Sequence, residues 1–319
     1  MSVRWAGFFA PFRWLIDAVD VGRHQPAAVL GAVLLATLIN MLPSLVQQMA
    51  ALAGAGGGVL MGVTQLAGLL MAVLVAPVLL GGIFRLFHAA EQGQPVAAAD
   101  ILGGFKDGSF ARLVLTNLLF FALIIAVGLL MLAVIALIVP MSAIQALQPW
   151  MEQVMALQAQ AGTGKPIQPN DLPMPPEGLG AIIGVVLAFT PLLLLVSIGG
   201  MWAVAQSALR GNGPVSSVLL GMRAAFANAP SLLALIFVLG IAGSIVAGLA
   251  ALLIGGLVAL LSLASPALGA IVAMLALVLV TVLLNAVAYS FLLAGWRASC
   301  DEAQTPPQAE PRSTAGFEA

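Results

Sequence analysis

Formal charge is scarce in this chain: 7% of its 319 residues are Asp, Glu, Lys or Arg, against about a quarter in an ordinary soluble domain. With 62% hydrophobic residues, there is too little polar surface to clothe a water-soluble globule, so lipid must solvate much of the chain. Net charge is −1 and no long basic run occurs, which removes the electrostatic footprint of a nucleic-acid binder. A single cysteine, Cys300, excludes an internal disulfide. That cysteine with two histidines cannot build a four-ligand zinc site without distant carboxylates. No metal and no cofactor is expected. The opening MSVRWAGFFAPFRWLIDAVD lacks an uninterrupted apolar core before Asp17 and a small-residue cleavage signature, so it reads as retained.

What is present is long charge-free sequence. A helix crossing roughly 30 Å of hydrocarbon needs about 20 apolar residues, because other conformations leave backbone polar groups unpaired in lipid. The interval between Arg23 and Arg85 carries no charge and is broken by AGAGGG at 53–58, giving spans near 27–50 and 59–84. One span is expected at 113–139 and another at 180–206. Between Arg223 and Arg297 the breaker ASPALG at 264–269 separates spans near 231–258 and 268–295. The reading is all-α: a polytopic membrane helix bundle of six transmembrane helices.

Lys and Arg collect on cytoplasmic loops. With six spans, Arg4, Arg13, Arg23, Arg85, Lys106, Arg112, Arg210, Arg223, Arg297 and Arg312 fall on one side and Lys165 alone on the other. This predicts cytoplasmic termini in a bacterial inner membrane. Trp5, Trp14, Trp150, Trp202 and Trp296 all lie near predicted boundaries, where tryptophan is favoured.

The basic-side segments resemble one another. WLIDAVDVGRHQP at 14–26 aligns without gaps to VLLGMRAAFANAP at 218–230, and ILGGFKDGSFARL at 101–113 is a weaker third copy. HAAEQGQP at 88–95, SALRGNGP at 207–214 and SCDEAQTP at 299–306 recur as exits. Such periodicity predicts three parallel-repeat hairpin units, about 12–95, 100–214 and 215–300, each with an amphipathic cytoplasmic entry helix. Parallel copies are related by an axis along the membrane normal. The first entry segment, with Phe8, Phe9, Phe12, Ile16 and Val19 offset from Arg13, Asp17 and Asp20, suits either the headgroup layer or a small core on the soluble side. The external connection 140–179 predicts an interfacial helix from Ile144, Leu147, Met151, Val154 and Met155, then a Pro-rich strap. Residues 301–319 read as a disordered tail.

No ionisable residue falls inside a predicted span, which weighs against proton coupling and voltage sensing. Asn40, Asn117 and Asn285, with Thr64, Gln65, Gln206 and Tyr289, are the intramembrane polar candidates; interhelical hydrogen bonding accounts for most such residues. The richest ionisable set is Asp17, Asp20, Arg23 and His24 from one elbow with Arg85, His88 and Glu91 from the end of the same hairpin. If these converge, acid/base or phosphate-headgroup chemistry becomes available; otherwise they are a solvated face. GTGKP at 162–166 lacks the full phosphate-loop pattern and a preceding strand. With no nucleophile elbow and no H-E-x-x-H, an enzyme is the minority reading.

The W-x-x-x-A entry helix reaching Pro26 and the stretch APVLLGGIFRLFHAAEQGQPVAAADILGGF at 76–105 carry a resemblance, centred on Gly81, Gly82, Gly93, Pro95 and Phe105. By these the chain resembles a family of bacterial polytopic integral membrane proteins of unassigned activity. It is similar in layout to the membrane domain accompanying some glycerophosphodiester phosphodiesterases. Their soluble catalytic barrel is absent from these residues, so the resemblance implies a membrane module concerned with envelope or lipid homeostasis and no catalytic residues. Membrane lipids are the expected partners. A transporter or channel for a neutral or lipidic molecule is the alternative, and small residues such as GIAGSIVAGLAA at 240–251 admit a homo-oligomer.

Overall fold

The computed structural model describes residues 3–20, 25–52, 58–162 and 172–300. Arg23, His24, the 53–57 turn, residues 163–171 of the strap with most of GTGKP, and the tail 301–319 lie outside the described residues. Every regular element described is helical: α1 Ala10–Val19, α2 Pro26–Leu52, α3 Gly58–Leu70, α4 Ala76–Glu91, α5 Phe110–Ile138, α6 Met141–Gly162, α7 Leu179–Arg210, α8 Pro214–Ala227, α9 Ala229–Ala264 and α10 Pro266–Cys300. A π-helical turn, Met71–Val75, joins α3 to α4, and a 3-10 segment, Ala98–Phe105, precedes α5.

Six of these helical runs are long and apolar enough to cross a membrane, and the chain is a multi-pass, all-α membrane helix bundle. The observed helices outrun the predicted spans. Helix continues from Gly58 through Arg85 to Glu91, 34 residues, about 51 Å at 1.5 Å per residue against roughly 30 Å of hydrocarbon. The charge-bearing turns therefore project beyond the hydrocarbon as rigid helix rather than as loop. Prolines open several helices: Pro11 in α1, Pro26 in α2, Pro214 in α8 and Pro230 in α9. At the first turn proline's missing N–H costs no intrahelical bond. At the 264–269 breaker only Ser265, extended at φ −160°, separates α9 from α10.

Three times the chain places a short helical element before a pair of long ones: α1, the 3-10 segment and α8. The second of these is 3-10 rather than α, consistent with Gly103 and Gly104 in its sequence, since glycine costs roughly 1 kcal/mol in α-helix. The second pair has α6 inserted between its long helices.

By contacts the chain divides into two compact units, Met1–Phe120 with Ile198–Ala319, and Phe121–Ser197. In the first, buried side chains gather at the helix ends that carry the charges. Trp14 of α1 meets Trp202 of α7 edge-on at 6.2 Å and Phe291 of α10 at 6.0 Å. The Trp202 indole donates to the Leu292 carbonyl (2.9 Å), and the Trp296 indole to Gln206 Oε1 (2.8 Å). Sequence placed these tryptophans at a membrane boundary; three of the five instead fill protein interior near it. α4 packs on the 3-10 segment so closely that a Cβ on Gly82 would stand 2.1 Å from the Ile101 carbonyl oxygen. Farther along α9 and α10, large side chains such as Phe237, Leu252, Leu253, Leu263 and Leu284 are exposed.

In the second unit α6 is the expected helix beyond Pro140. Its Met151 and Met155 are exposed, Ala143 is buried, and the Trp150 indole donates to the Pro173 carbonyl (3.3 Å). Gly178, at φ +90°, makes the bend before α7.

Candidate polar site at the charged helix ends

The ends of α4, α7 and α10 supply the side chains, with α1 and the 3-10 segment over them. Their long helices fix each charged group on a rigid stem, so partner choice follows from helical register. Arg85 and Glu91 lie six residues apart on α4 and take different partners. The Arg85 guanidinium spreads three ways: Nε donates to the Ala208 carbonyl (3.1 Å), Nη2 to Ser109 Oγ (2.8 Å), and Nη1 pairs with the Asp107 carboxylate. The Ser109 N–H donates to the other Asp107 oxygen at 3.0 Å. Partial burial raises the Asp107 pKa, but the Ser109 bonds and the Arg85 charge outweigh it and hold the carboxyl below its ordinary 3.8. This is a structural clamp of the α5 entry onto α4 and α7.

One turn on, Arg297 of α10 pairs with Glu91, and its Nη2 donates to His88 Nδ1 at 2.9 Å. The other ring nitrogen, Nε2, lies 3.0 Å from the Gln92 side-chain amide nitrogen. The Arg297 Nε is buried with no hydrogen-bond partner, as is the Arg112 Nε. Beyond them Gln25 ties the start of α2 to the exit of α4: its Oε1 accepts the Val96 N–H (3.0 Å) and its amide donates to the Gln94 carbonyl.

α1 has three faces at 100° per residue. Pro11, Trp14 and Ala18 are buried; Phe9, Ile16 and Val19 are about two-thirds exposed or more, at 69%, 71% and 71%. Ala10, Arg13 and Asp17 form a third stripe that walls a cleft of about 480 Å³ shared with Glu91, Ser290 and Arg297. The two sequence readings of this segment thus coexist: Trp14 enters a core while a separate apolar face stays uncovered.

Of the set read from sequence, the structure brings Asp17 and Glu91 to one cleft and joins His88 to it through Arg297. Arg85 turns instead to Asp107 and Ser109, and Asp20 does not line the cleft. The side-chain hydrogen bonds of His88 go to Arg297 and Gln92 rather than to Asp17. Among the described residues no group of three His, Cys, Asp or Glu could hold a metal. Asn40 donates to Ala36 O of its own helix (2.9 Å), and Asn117 to the π-turn carbonyls of Ala72 (3.3 Å) and Val73 (3.5 Å). Asn285 is half-buried on α10, apart from both of these contacts.

Sequence reasoning missed Asn228, fully buried before α9. Its Oδ1 accepts the Ala6 N–H (2.9 Å), while Nδ2 reaches the Arg4 carbonyl (3.3 Å), the Ala224 carbonyl (2.9 Å) and Ser299 Oγ (3.2 Å). The only sequence signal was its alignment opposite His24 in the repeated elbow. Arg297 was also passed over, being read for orientation alone. The chain matches no family model, no curated protein and no solved structure.

Proposed function

We propose that this chain is a non-enzymatic module of a bacterial inner membrane, with both termini cytoplasmic, that organises membrane lipid in envelope or lipid homeostasis. The observation carrying this reading is the uneven burial of its first unit. Side chains interlock at the charged helix ends, around Trp14, Trp202 and Trp296, while Leu252, Leu253, Leu263 and Leu284 are more than 60% exposed on α9 and α10, or, for Phe237, 70%. Large exposed apolar surface marks interaction with lipid or protein, and in a multi-pass chain lipid is the abundant partner. The apolar stretches read as spans carry no Asp, Glu, Lys, Arg or His, and α1 offers Phe9, Ile16 and Val19 outward, as a helix lying in the headgroup layer does. The three short-then-long helical cycles support a parallel repeat, and the resemblance to phosphodiesterase-associated membrane domains points the same way. Lipid extraction and quantification after detergent purification tests it: several phospholipids per chain should persist through size exclusion, and stripping to none without loss of fold would refute it.

A transporter of a neutral or lipidic molecule is favoured by one observation, the π turn at Met71–Val75, whose carbonyls Asn117 engages. π turns concentrate at functional sites. If this is a gate, Asn117→Leu abolishes uptake of a solute in proteoliposomes; as a structural clamp it lowers stability alone.

A further inference from the structure

The cleft between α1, α4 and α10 has an unusual charge balance for its size. Arg13 and Arg297 face Asp17 and Glu91, two charges of each sign, so its walls are neutral overall. Arg297 and Glu91 already pair with each other. Arg13 and Asp17, one turn apart on α1, are exposed, and no hydrogen bond or ion pair joins their side chains to another described residue. Ala294 and its alanine neighbours leave the volume, about 480 Å³, within the range of small-ligand sites. The buried Trp14 forms part of the cleft floor.

A ligand of net charge would leave part of this wall uncompensated, and desolvating an unpaired charge is costly. A net-neutral molecule with separated charges satisfies both signs at once: its anionic oxygens meet Arg13 and Arg297, its ammonium Asp17 and Glu91. We infer that this cleft binds a phosphate ester bearing an ammonium group, the chemistry of a phosphoethanolamine headgroup. The inference rests on the lipid-module reading above and names the lipid class. The same chemistry could arrive on a lipid or as a soluble ester, and the test separates the two.

Full-length protein is exchanged into nanodiscs or micelles holding equal amounts of phosphatidylethanolamine and phosphatidylglycerol, and retained lipid is read by native mass spectrometry. Wild type retains phosphatidylethanolamine by about tenfold, the scale of one charge-assisted hydrogen bond. Asp17→Lys, at an exposed position where the ammonium would sit, and Ala294→Trp, which fills the cleft, each bring the ratio to about one or below; Glu152→Gln on α6 leaves it unchanged. Displacement of the lipid by millimolar phosphoethanolamine shows that the headgroup suffices; persistence of the lipid, with the variant effects intact, assigns the site to lipid. An equal ratio in wild type, or an undiminished preference in both folded variants, overturns the cleft assignment while general phospholipid retention still supports the module reading. Absence of all phospholipid, together with no thermal shift from phosphoethanolamine, overturns both.

Discussion

Replacing Asn228 with alanine tests whether one buried amide fastens the N-terminal segment. The side chain is fully buried and makes four hydrogen bonds, two of which, from the Ala6 N–H and to the Arg4 carbonyl, hold residues 4–6 against the end of α10. A third contact in the same place, Arg4 N–H to the Ser299 carbonyl at 3.2 Å, survives the substitution. At about 1 kcal/mol net per bond, loss of the two segment bonds should cost about 2 kcal/mol of local docking. Every 1.4 kcal/mol is tenfold, so the open population should rise about 30-fold. Limited trypsin cleavage after Arg4, followed by N-terminal sequencing or intact mass, reads that population when opening is fast relative to cutting. Asn228→Asp keeps the acceptor for the Ala6 N–H but sets a second oxygen against the Arg4 and Ala224 carbonyls, and should be cut at least as fast as Asn228→Ala. The reasoning fails if Asn228→Ala is cut after Arg4 no faster than wild type while remaining folded.

Gly82→Ala should lower the thermal midpoint sharply, by the equivalent of at least about 2 kcal/mol, because its Cβ would meet backbone at Ile101 rather than a movable side chain. Gly128→Ala, with open space around it, should be neutral or stabilising by up to about 1 kcal/mol; equal behaviour of the two variants in a detergent melt would contradict the packing described. Asp107 has a folded pKa below its ordinary 3.8, so its contribution is fully present above that value and fades as pH falls through the folded one. Its carboxylate is 44% exposed and the effect is small, seen as a difference in acid melting between wild type and Asp107→Asn that shrinks as the pH falls below 3.8; a difference that widens with acid would have the wrong sign.

The architecture was legible where its physics is one-dimensional. Spacing between charges located six membrane helices, because hydrocarbon tolerates neither charge nor open backbone over that depth. Proline and glycine placed the breaks, as at Ser265 between α9 and α10. Helix ends were misjudged because Arg85, His88 and Glu91 stay helical beyond the apolar run; a charge stops a span but not a helix. The site was half legible for a related reason. Asp17 and Glu91 could be paired as two ends of one hairpin, but Arg297 comes from the last helix, more than 200 residues away from both, and only tertiary packing brings it to Glu91 and His88. Asn228 was hidden because a lone asparagine at a helix boundary reads as a turn residue, and four converging partners have no local pattern.

Membrane immersion with an even number of crossings is the claim beneath everything else. It is tested most directly by fusing alkaline phosphatase and, separately, green fluorescent protein at residue 165 and after residue 319 in a bacterial host. The account predicts phosphatase activity without fluorescence at 165 and fluorescence without phosphatase activity at the C-terminus. The same reporter active at both positions, or fusions recovered in the soluble fraction, would contradict it.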